Sequence, residues 1–569
     1  MTSAGLRGIA HTDVLVIGAG PVGLMTAIEL RRRGVDVLLV DQLEEPAPWA
    51  KAVGVQPRTL EIFDALGIIR PALDAATSMR GQLRYLDGVL QSRVDLELPD
   101  DVPYRFVSIP QYATEQVLHD LLVGLGGTVH RGITVTAIEP DEDGVTATLT
   151  DGSGSRRMRA DYLIGCDGAH SLARKAAGIG FEGDAFPESY MLADVEVDWD
   201  LPAGYAVRCV RRVAGAPDDG LVCIPLPGEH RYRMSMLVAD DLQGGTDSRS
   251  TDGVEHGLGT GRAPELHHIQ AVLDRLSPEP TTARNLRWSS VFRISHRLAE
   301  RYALGRVFLA GDAAHIHPPT GGQGMNTGLQ DAFNLGWKLA AVVHGQAGPD
   351  LLASYHTERH PVGAEVVGRT VAAAQSGGVG VGSAVDPATL MQREAQLLVG
   401  YPDSPLVSED IEAGALTDGP RPGSRAPDAR GLRQDPVTGG LRVHELFRHP
   451  GHTLLLWANG PAELRAAREL SARLAELLPA GLVRSCVLVA ADLEVDDVSG
   501  RVFRDADGLA AQAYGFEAAP PGAIASYLVR PDLYVGHRSS ALTVGQLLDH
   551  LTRSYDPSTL GVVDPVAVA

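Results

Sequence analysis

The chain has 569 residues, more than a single hydrophobic core normally holds, so about two to four domains are expected. Apolar residues make up 44% and charged residues 21% of the sequence, a balance that excludes a wholly disordered or fibrous chain. The 71 Asp and Glu residues outnumber the 50 Lys and Arg residues and give a formal net charge of −21, which argues against binding to nucleic acid or to an anionic membrane.

The first predicted unit is a strand, a glycine-rich turn, a helix and a second strand. Residues 13–17 (DVLVI) are apolar and β-branched, as a strand buried on both faces would be, and residues 24–33 carry apolar side chains at helical spacing. A second apolar strand at 37–40 ends in Asp41. Together these elements predict a βαβ unit of about thirty residues.

The turn of this unit has the GxGxxG pattern. Gly18 permits a tight turn, Gly20 lets the backbone approach a pyrophosphate, and Gly23 allows close packing of helix and strand. The start of the helix offers free N–H groups to phosphates, and Asp41 can accept hydrogen bonds from a ribose. We predict a bound dinucleotide, against the alternative of a turn that serves packing alone; the pattern does not distinguish NAD from FAD. The predicted dinucleotide site comprises Gly18, Gly20, Pro21, Val22, Gly23, Asp41 and Gln42.

The middle of the chain changes from helical to strand patterns. Helical periodicity predicts a helix over 111–125, and 133–138 and 145–149 are interpreted as paired strands. Residues 180–240 alternate in strand fashion and predict a sheet that forms one wall of a second domain. Residues 240–264 are rich in Gly, Ser, Thr and Asp, which predicts a mobile surface loop.

The last third is predicted to begin with a strand and a long helix. The strand covers 307–310, a turn rich in Gly and Pro follows, and the helix runs from about 326 to 343. Pro, Gly and Asp are frequent in 401–440, which predicts an interdomain linker. Short apolar strands at 452–457 and 486–490 alternate with helical segments and indicate a small third domain of α/β type.

Three separated motifs carry a resemblance to a known family. They are GAGPVG (18–23), the pair Asp167–Gly168 in ADYLIGCDGAHSLARKAAGI, and the pair Gly311–Asp312 in GRVFLAGDAAHIHPPTGGQGMNTGLQDAFNLGWKLA. In order and spacing they closely resemble the three fingerprints of the class A flavoprotein aromatic hydroxylases, the p-hydroxybenzoate hydroxylase fold group. The segments GSRAP (423–427) and YLVRPDLYVGHR (527–538) resemble the thioredoxin-like C-terminal domain of the phenol and polyketide hydroxylase branches.

The resemblance implies a mixed α/β and α+β fold: a Rossmann-like FAD-binding domain, a sheet-walled substrate domain and a thioredoxin-like C-terminal domain. The implied division is 1–180 with 285–375 for the FAD-binding domain and 181–284 for the substrate domain. Residues 376–440 are then a helix and linker, and 441–569 form the C-terminal domain. This last domain has no CxxC and Cys486 stands alone, so packing or dimerisation is favoured over redox exchange.

The resemblance also places residues around FAD. Asp312 would hold a ribityl hydroxyl, glycines of the following turn would approach the flat ring, and the positive end of the next helix would face the ring's pyrimidine edge. Asp167 is linked in relatives to both FAD and the nicotinamide donor. The further FAD-binding residues implied are Lys51, Arg58, Gln111, Val135, Asp167, Asp312, Pro319, Gly322, Gly324, Met325 and Asn326.

The implied reaction is monooxygenation. NADPH or NADH reduces FAD during a transient visit, oxygen adds at flavin C4a, and the hydroperoxide hydroxylates a phenolic or polycyclic aromatic, polyketide-type substrate. Baeyer–Villiger insertion, epoxidation, ring rearrangement or simple phenol hydroxylation remain open alternatives. A halogenase is disfavoured because no WxWxIP stretch occurs among the five tryptophans. A non-catalytic flavin-binding protein is a further alternative.

The catalytic base is the least defined part of the prediction. Simple phenol hydroxylases place an aspartate four or five residues before the arginine matched by Arg58, where this chain has Val53. Candidates for the substrate cavity are Tyr232, Arg293 and His296, although residues of these types at strand ends are more often packing or surface residues. No metal site is predicted: His315 and His317 lack a neighbouring ligand cluster.

The cellular setting follows from what the sequence lacks. Scattered cysteines, no apolar run near the length of a membrane span and no signal-peptide pattern predict a soluble cytoplasmic protein. The expected partners are a small aromatic substrate, with neither nucleic acid nor membrane, and the resemblance allows a homodimer.

Overall fold

The structure is a computed structural model that describes residues 10–213, 218–245, 252–258, 262–375, 386–434, 437–493 and 501–561. The strands of the first half are β1 (His11–Ile17), β2 (Val37–Asp41), β3 (Gly54–Val55), β4 (Thr77–Ser78), β5 (Gly81–Leu86), β6 (Val89–Asp95), β7 (Val107–Ser108), β8 (Val129–Arg131), β9 (Thr134–Pro140), β10 (Val145–Asp151), β11 (Gly154–Gly165), β12 (Phe181–Val197), β13 (Tyr205–Arg211), β14 (Asp219–Pro225), β15 (Arg231–Leu237) and β16 (Gly257–Leu258). Those of the second half are β17 (Ala283–Ala299), β18 (Ala303–Leu304), β19 (Val307–Leu309), β20 (His315–Ile316), β21 (Ser408–Asp410), β22 (Leu432–Gln434), β23 (Val437–Leu441), β24 (His452–Ala458), β25 (Val483–Val489), β26 (Val502–Asp505), β27 (Ala525–Val529) and β28 (Val535–Ser539). The helices are α1 (Pro21–Arg31), α2 (Pro57–Ala65), α3 (Ile69–Asp74), α4 (Gln111–Gly124), α5 (Leu172–Ala176), α6 (Leu266–Leu276), α7 (Gly324–Val343), α8 (Asp350–Gln375), α9 (Pro387–Glu394), α10 (Pro461–Leu477), α11 (Leu509–Ala513) and α12 (Val544–Leu551).

The first sheet carries the predicted βαβ unit. Strand β1 pairs in parallel with β2 on one side and β11 on the other, and β11 pairs in parallel with β19. Val14, Leu15 and Val16 are fully buried, so both faces of β1 are covered, as its apolar run predicts. Helix α1 packs against α4 and α7, so the long helix predicted near 326–343 closes this domain.

The second sheet is the predicted wall. Its strands lie in the order β16-β17-β12-β15-β14-β13-β5-β6, and β20 pairs with β17. Residues 81–95 supply β5 and β6, so the wall extends beyond the range 181–284. The division of the chain into domains otherwise stays a prediction.

The predicted surface loop over 240–264 is wrong for part of its length. Asp240–Gly245 form a 3-10 turn, Val254 is buried, and Gly257–Leu258 pair with β17. Apolar and backbone contacts therefore hold 252–258 against the second sheet, despite the polar composition. Residues 246–251 and 259–261 lie outside the described part.

The predicted linker over 401–440 is also wrong, because it belongs to a third sheet. The order there is β21-β28-β27-β24-β25-β26-β22-β23, so β21 and β22 come from the supposed linker. Arg425 in this segment donates from Nη2 to Glu61 of α2 at 2.7 Å, which docks the segment on the first domain. Trp457 and Tyr527 are buried core residues of the third sheet. Its likeness to thioredoxin stays a prediction.

No helix in the described residues is both long and apolar enough to cross a membrane.

Candidate active site and cofactor cleft

The glycine turn after β1 is shaped for close approach. Gly18 has φ +95°, and a Cβ there would lie 2.4 Å from the Cys166 carbonyl oxygen. A Cβ on Gly23 would lie 1.8 Å from the Gly18 oxygen, so helix and turn touch backbone to backbone. Gly20, in contrast, has no atom of the described residues within 4 Å of a Cβ position. The turn is therefore closed on its protein side and open at Gly20, at the start of α1, where a phosphate would bind.

Asp41 fastens this turn to the end of β2. Its Oδ2 accepts a hydrogen bond from Ala19 N at 2.6 Å, and its Oδ1 accepts one from Leu43 N at 2.8 Å. Gln42 is exposed beside it, while Val135 is buried in β9. The structure thus assigns Asp41 a role in holding the turn, and contact of Asp41, Gln42 or Val135 with an adenosine stays a prediction.

The first and third motifs are in direct contact. A Cβ on Gly311 would lie 2.9 Å from Val22 Cγ2, and one on Gly328 would lie 2.7 Å from the same atom. Asp331 of α7 accepts hydrogen bonds from Gly311 N at 3.1 Å and from Arg359 Nε at 2.8 Å. Residues some three hundred positions apart therefore form one rigid wall of the cleft.

The turn before α7 presents backbone to the cleft. Gly321 and Gly322 have φ of +75° and +64°, conformations that favour glycine. Pro319 is exposed, and Gly324 and Met325 are half-buried. Since no side chain caps the start of α7, its first N–H groups and the positive end of its dipole are free to meet an electron-rich ring.

Asn326 acts here as a clamp. The side chain is fully buried; its Oδ1 accepts from Gln56 N at 2.9 Å, and its Nδ2 donates to the carbonyl oxygens of Gly54 and Gly322, at 2.9 and 2.7 Å. The amide is therefore saturated by protein, so a contact of Asn326 with FAD would use its backbone N–H and stays a prediction. The clamp joins the 54–56 segment to the glycine turn.

Lys51 and Asp312 meet across the cleft. Lys51 Nζ lies 3.3 Å from Asp312 Oδ2, and its ammonium stands 5.5 Å from the Phe292 ring centre. Burial opposes ionisation of Asp312, but the nearby Lys51 ammonium lowers the pKa of this carboxyl. Two charged groups predicted from different motifs are thus placed together.

Gln111 bridges the same segment to helix α4. Its Oε1 accepts from Ala52 N at 3.2 Å, and its Nε2 donates to Glu115 Oε1 at 2.9 Å. Burial raises the pKa of Glu115 to about 7. Gln111 therefore supports the backbone next to Lys51; contact with a ribityl chain stays a prediction.

Asp167 has one carboxylate oxygen committed and one unpaired. Oδ2 accepts from Leu172 N at 2.7 Å and from Ala173 N at 3.1 Å, at the start of α5. Oδ1 is buried and has no hydrogen-bond partner among the described residues. Burial raises the pKa of this carboxyl. An unsatisfied buried oxygen at the cleft fits a ligand hydroxyl donor.

Comparison with known proteins agrees with this geometry. A family model of the FAD binding domain matches residues 11–370. The chain is 37% identical over 372 residues to a rifampicin monooxygenase of Streptomyces venezuelae, covering 64% of this chain and 71% of the relative. It is 33% identical over 557 residues to pentachlorophenol 4-monooxygenase of Sphingobium chlorophenolicum, covering 95% and 96%. A crystal structure of aklavinone-11 hydroxylase in a ternary complex with FAD and aklavinone is 26% identical, with a TM-score of 0.72 over 96% of this chain and 99% of the other.

The chain belongs to the FAD binding domain family. Its relatives are monooxygenases, and it is an FAD-dependent aromatic monooxygenase. The cleft fits FAD because the turn opens at Gly20, Asp167 leaves an oxygen unpaired, and Gly321 and Gly322 keep side chains away from the space before α7.

Arg58 of this family member does not point into the FAD cleft. The residue is 1% exposed; its Nη1 donates to Glu61 at 2.9 Å, and its Nη2 donates to the Asp532 carbonyl oxygen at 3.1 Å. Its guanidinium also stacks 4.6 Å from the Tyr534 ring centre. The predicted cofactor contact is therefore corrected: Arg58 joins α2 to the third sheet.

The three catalytic candidates are not brought together. Tyr232 is buried in an apolar cluster beside Trp199, 5.2 Å between ring centres, on the face of the second sheet that packs against α6. The prediction that Tyr232 lines the substrate cavity is therefore wrong. Adjacent residues of a strand face opposite sides of the sheet, and Tyr232 lies on the side that packs against α6. His296 lies edge-on to Phe186 at 5.4 Å, and its Nδ1 is buried without a partner.

Arg293 lies in a shallow cavity at the edge of the sheet. Its Nη1 donates to Glu255 Oε2 at 2.8 Å. The cavity holds about 430 Å³ and is lined by Asp184, Ala185, Phe186, Pro187, Ser189, Gly253, Glu255, Arg293 and Arg297. A catalytic role for Arg293 or His296 stays a prediction.

Two polar residues that sequence reasoning missed lie close to the cleft. His256 is 5.4 Å from Phe292, ring centre to ring centre; burial and the nearby Lys51 lower its pKa to about 3. Arg233 faces the side of the sheet opposite to Tyr232. The alternation of inward and outward residues along β15 could have indicated Arg233. His256 lies in the segment that the sequence analysis interpreted as a loop, so no pattern pointed to it.

Proposed function

We propose that the chain hydroxylates a phenolic or polycyclic aromatic compound of polyketide type, using FAD, NAD(P)H and oxygen. The observation that carries this proposal is the apolar face of the second sheet. Ile224, Leu226 and Trp288 on that face pack with Ala50 and Val53, immediately beside Lys51. An apolar, aromatic-lined wall next to a flavin cleft suits a flat substrate.

The same wall continues along β12 and β17. Leu192, Phe292 and Ile294 form a buried apolar group, with Tyr190 and Trp288 packed against it. Such walls exclude water from the reacting ring, which protects activated oxygen from wasteful discharge. The breadth of this wall favours a substrate of several rings over a single phenol.

Bound FAD supplies electron transfer from NAD(P)H and the activation of oxygen. The chain's own residues would orient it: Gly18–Gly23 and the start of α1 would hold the phosphates, with Lys51 and Asp312 at the middle of the cleft. The start of α7 would stabilise negative charge on the ring. Burial lowers the pKa of His317 to about 4, so this nearby imidazole stays neutral at physiological pH.

The aspartate that simple phenol hydroxylases place shortly before the position of Arg58 is missing from this chain. The position where simple phenol hydroxylases have aspartate is Val53, which is 2% exposed and packed on Leu226. This observation favours the polyketide branch over simple phenol hydroxylation.

The test is an anaerobic reduction of the purified, FAD-loaded protein. NADPH and NADH are each mixed with the enzyme, with and without simple phenols and polycyclic hydroxyquinones. The expected result is reduction that one polycyclic compound accelerates, followed in air by a product heavier by one oxygen atom. Nuclear magnetic resonance of that product separates ring hydroxylation from epoxidation or Baeyer–Villiger insertion. Flavin reduction without oxygen transfer to any aromatic compound would contradict the proposal.

The remaining parts of the proposal concern assembly. The third sheet is proposed to be a thioredoxin-like packing domain without redox chemistry: Cys486 is 1% exposed, and burial raises the pKa of its thiol to about 12. A homodimer is proposed from the family resemblance, to be checked by sedimentation equilibrium.

A further inference from the structure

One row of side chains crosses the second sheet on the face that meets the cleft. Strand pairing sets Asp194 opposite Arg233, Arg233 opposite Ile224, and Asp194 opposite Trp288. Ile224 and Trp288 pack with Val53 of the segment that runs past Lys51. Arg233 therefore sits in the middle of the wall assigned to the substrate.

Arg233 is a buried cation without a counter-ion. It is 6% exposed, its Nε has no hydrogen-bond partner, and none of the described carboxylates pairs with it. Asp194, the acid opposite it in the strand pairing, is committed to Arg231, whose Nε donates to Asp194 Oδ1 at 2.7 Å. Burial lowers the pKa of Arg233 to about 10, which leaves the guanidinium charged at neutral pH.

An unpaired buried charge is costly to a fold. Native proteins neutralise or hydrogen-bond nearly all such groups, and exceptions concentrate where a ligand completes the pairing. The same strand shows the contrast: Arg231, two residues earlier, has a carboxylate, the Tyr112 hydroxyl and a backbone carbonyl as partners. Arg233 has none of these.

Further positive charge lies on the same face. Arg208 is opposite Val222, which lies two residues before Ile224 in β14 and so on the same face, and Arg84 is opposite Arg208. Burial lowers the pKa of both arginines. Arginines set in an otherwise apolar wall, in a chain of net charge −21, select anionic groups.

We propose that Arg233 binds an anionic oxygen of the aromatic substrate, a phenolate or a carboxylate, and so makes the enzyme selective for acidic aromatic compounds. The inference rests on the proposed function and names its substrate class. A guanidinium beside a phenol lowers the phenol's pKa, so Arg233 favours the phenolate where Val53 offers no base.

The test compares binding of anionic compounds with that of neutral isosteres, in FAD-loaded enzyme and without turnover. The carboxylate arm uses 6-hydroxy-2-naphthoate against 6-hydroxy-2-naphthamide; the phenolate arm uses 4-nitrophenol against 4-nitroanisole. Binding is followed by the flavin difference spectrum, and ionisation of bound 4-nitrophenol by its own visible band. The variants are Arg233→Met, Arg233→Lys and the control Arg287→Met, which removes an exposed arginine from the same sheet.

We expect the wild-type enzyme to prefer the anion in at least one arm by about tenfold or more, since a hydrogen bond to a charged group contributes that much. Arg233→Met should lose the preference, Arg233→Lys should keep part of it, and Arg287→Met should behave as wild type. The arm that shows the preference identifies the oxygen as carboxylate or phenolate.

The unfolding temperature of Arg233→Met is a second readout, because a purely structural role of Arg233 would predict that this variant is destabilised. Replacing an unpaired buried charge by Met should leave the unfolding temperature unchanged or raise it. Equal binding of anion and neutral isostere by wild type in both arms, an anion preference retained in Arg233→Met, or clear destabilisation of that variant would each overturn the proposal. Because binding is read without turnover, these results stand apart from a failure of oxygen transfer, which would overturn the proposed function instead.

Discussion

The guanidinium of Arg530 donates from Nη1 and Nη2 to the two carboxylate oxygens of Glu358, at 2.6 and 2.8 Å, although the two residues are 172 positions apart. Arg530 follows β27 of the third sheet and Glu358 lies in α8. Both side chains are almost fully buried, and Lys338 of α7 donates to the same carboxylate at 2.6 Å. Although burial opposes ionisation, Arg530 and Lys338 lower the pKa of Glu358. This buried cluster ties the C-terminal part of the chain to α8 and, through Lys338, to α7, the helix that borders the cleft.

Glu358→Gln should lower the free energy of unfolding by about 3–5 kcal/mol, because it leaves the buried Lys338 ammonium without its counter-ion and leaves Arg530 paired with Asp532 alone. Urea denaturation at neutral pH measures the effect. Glu476→Gln is the matched control, since Glu476 pairs with Arg473 on the exposed surface and should change stability by less than about 0.5 kcal/mol. Equal stability of the two variants would show that the buried pair is dispensable.

Two glycines of one turn should respond differently to alanine. Gly23→Ala places a Cβ 1.8 Å from the Gly18 oxygen, so we expect loss of folded protein or destabilisation by more than about 3 kcal/mol. Gly20→Ala has open space around its Cβ and should keep the wild-type unfolding temperature without FAD, yet retain FAD less tightly. Thermal unfolding and FAD fluorescence titration distinguish the two. Full FAD affinity in Gly20→Ala would contradict the placement of the pyrophosphate.

Arg58 and Lys51 offer a test of stability against cofactor binding. Arg58→Met should lower stability by several kcal/mol while folded protein keeps its FAD, because the guanidinium bonds only to Glu61 and the third-sheet backbone. Lys51→Met should weaken FAD binding by about tenfold with little change in the urea midpoint, since its ion pair is partly exposed. Loss of FAD binding with unchanged stability in Arg58→Met, together with lower stability and unchanged FAD binding in Lys51→Met, would restore the cofactor role first predicted for Arg58.

Glu115 predicts a pH dependence. Its pKa is about 7 in the folded protein against an ordinary value of 4.5, so the folded protein keeps this proton up to a higher pH than the unfolded chain does. Stability contributed by the protonated form is complete below about pH 4.5 and is lost as pH rises towards 7. Glu115→Gln should therefore match wild type at low pH and exceed it by about 1–3 kcal/mol above pH 7. Urea midpoints from pH 4 to 8 measure this difference, and the exposed Glu139→Gln should show no such step.

Local patterns predicted much of the fold. The apolar run of β1, the GxGxxG turn and the helical spacing of α7 depend on short-range chemistry, and the structure has each within a few residues of the expected bounds. The predicted wall over 180–240 also exists, because period-2 alternation is set by the strand itself.

Long-range packing decided what the sequence could not show. From the strand pattern alone, Tyr232 and Arg233 are equally plausible as residues that face the substrate. Only the position of α6 shows that Tyr232 is the one buried in the core. Arg58 lies in the first turn of α2, where the family motif suggests a cofactor contact. Its guanidinium instead donates to a backbone carbonyl more than 470 residues later in the chain. Residues 401–440 look like a linker by composition, but their short stretches pair with strands that come much later.

The contact between Val22 and two glycines of the third motif has a consequence for biosynthesis. The phosphate turn leaves the ribosome early, but its packing partners at Gly311 and Gly328 are made roughly 300 residues later. The FAD cleft therefore cannot assemble during translation of the first half, and the nascent βαβ unit must wait with apolar surface uncovered. A truncated chain that stops before α7 would carry the whole GxGxxG motif and still fail to capture the cofactor.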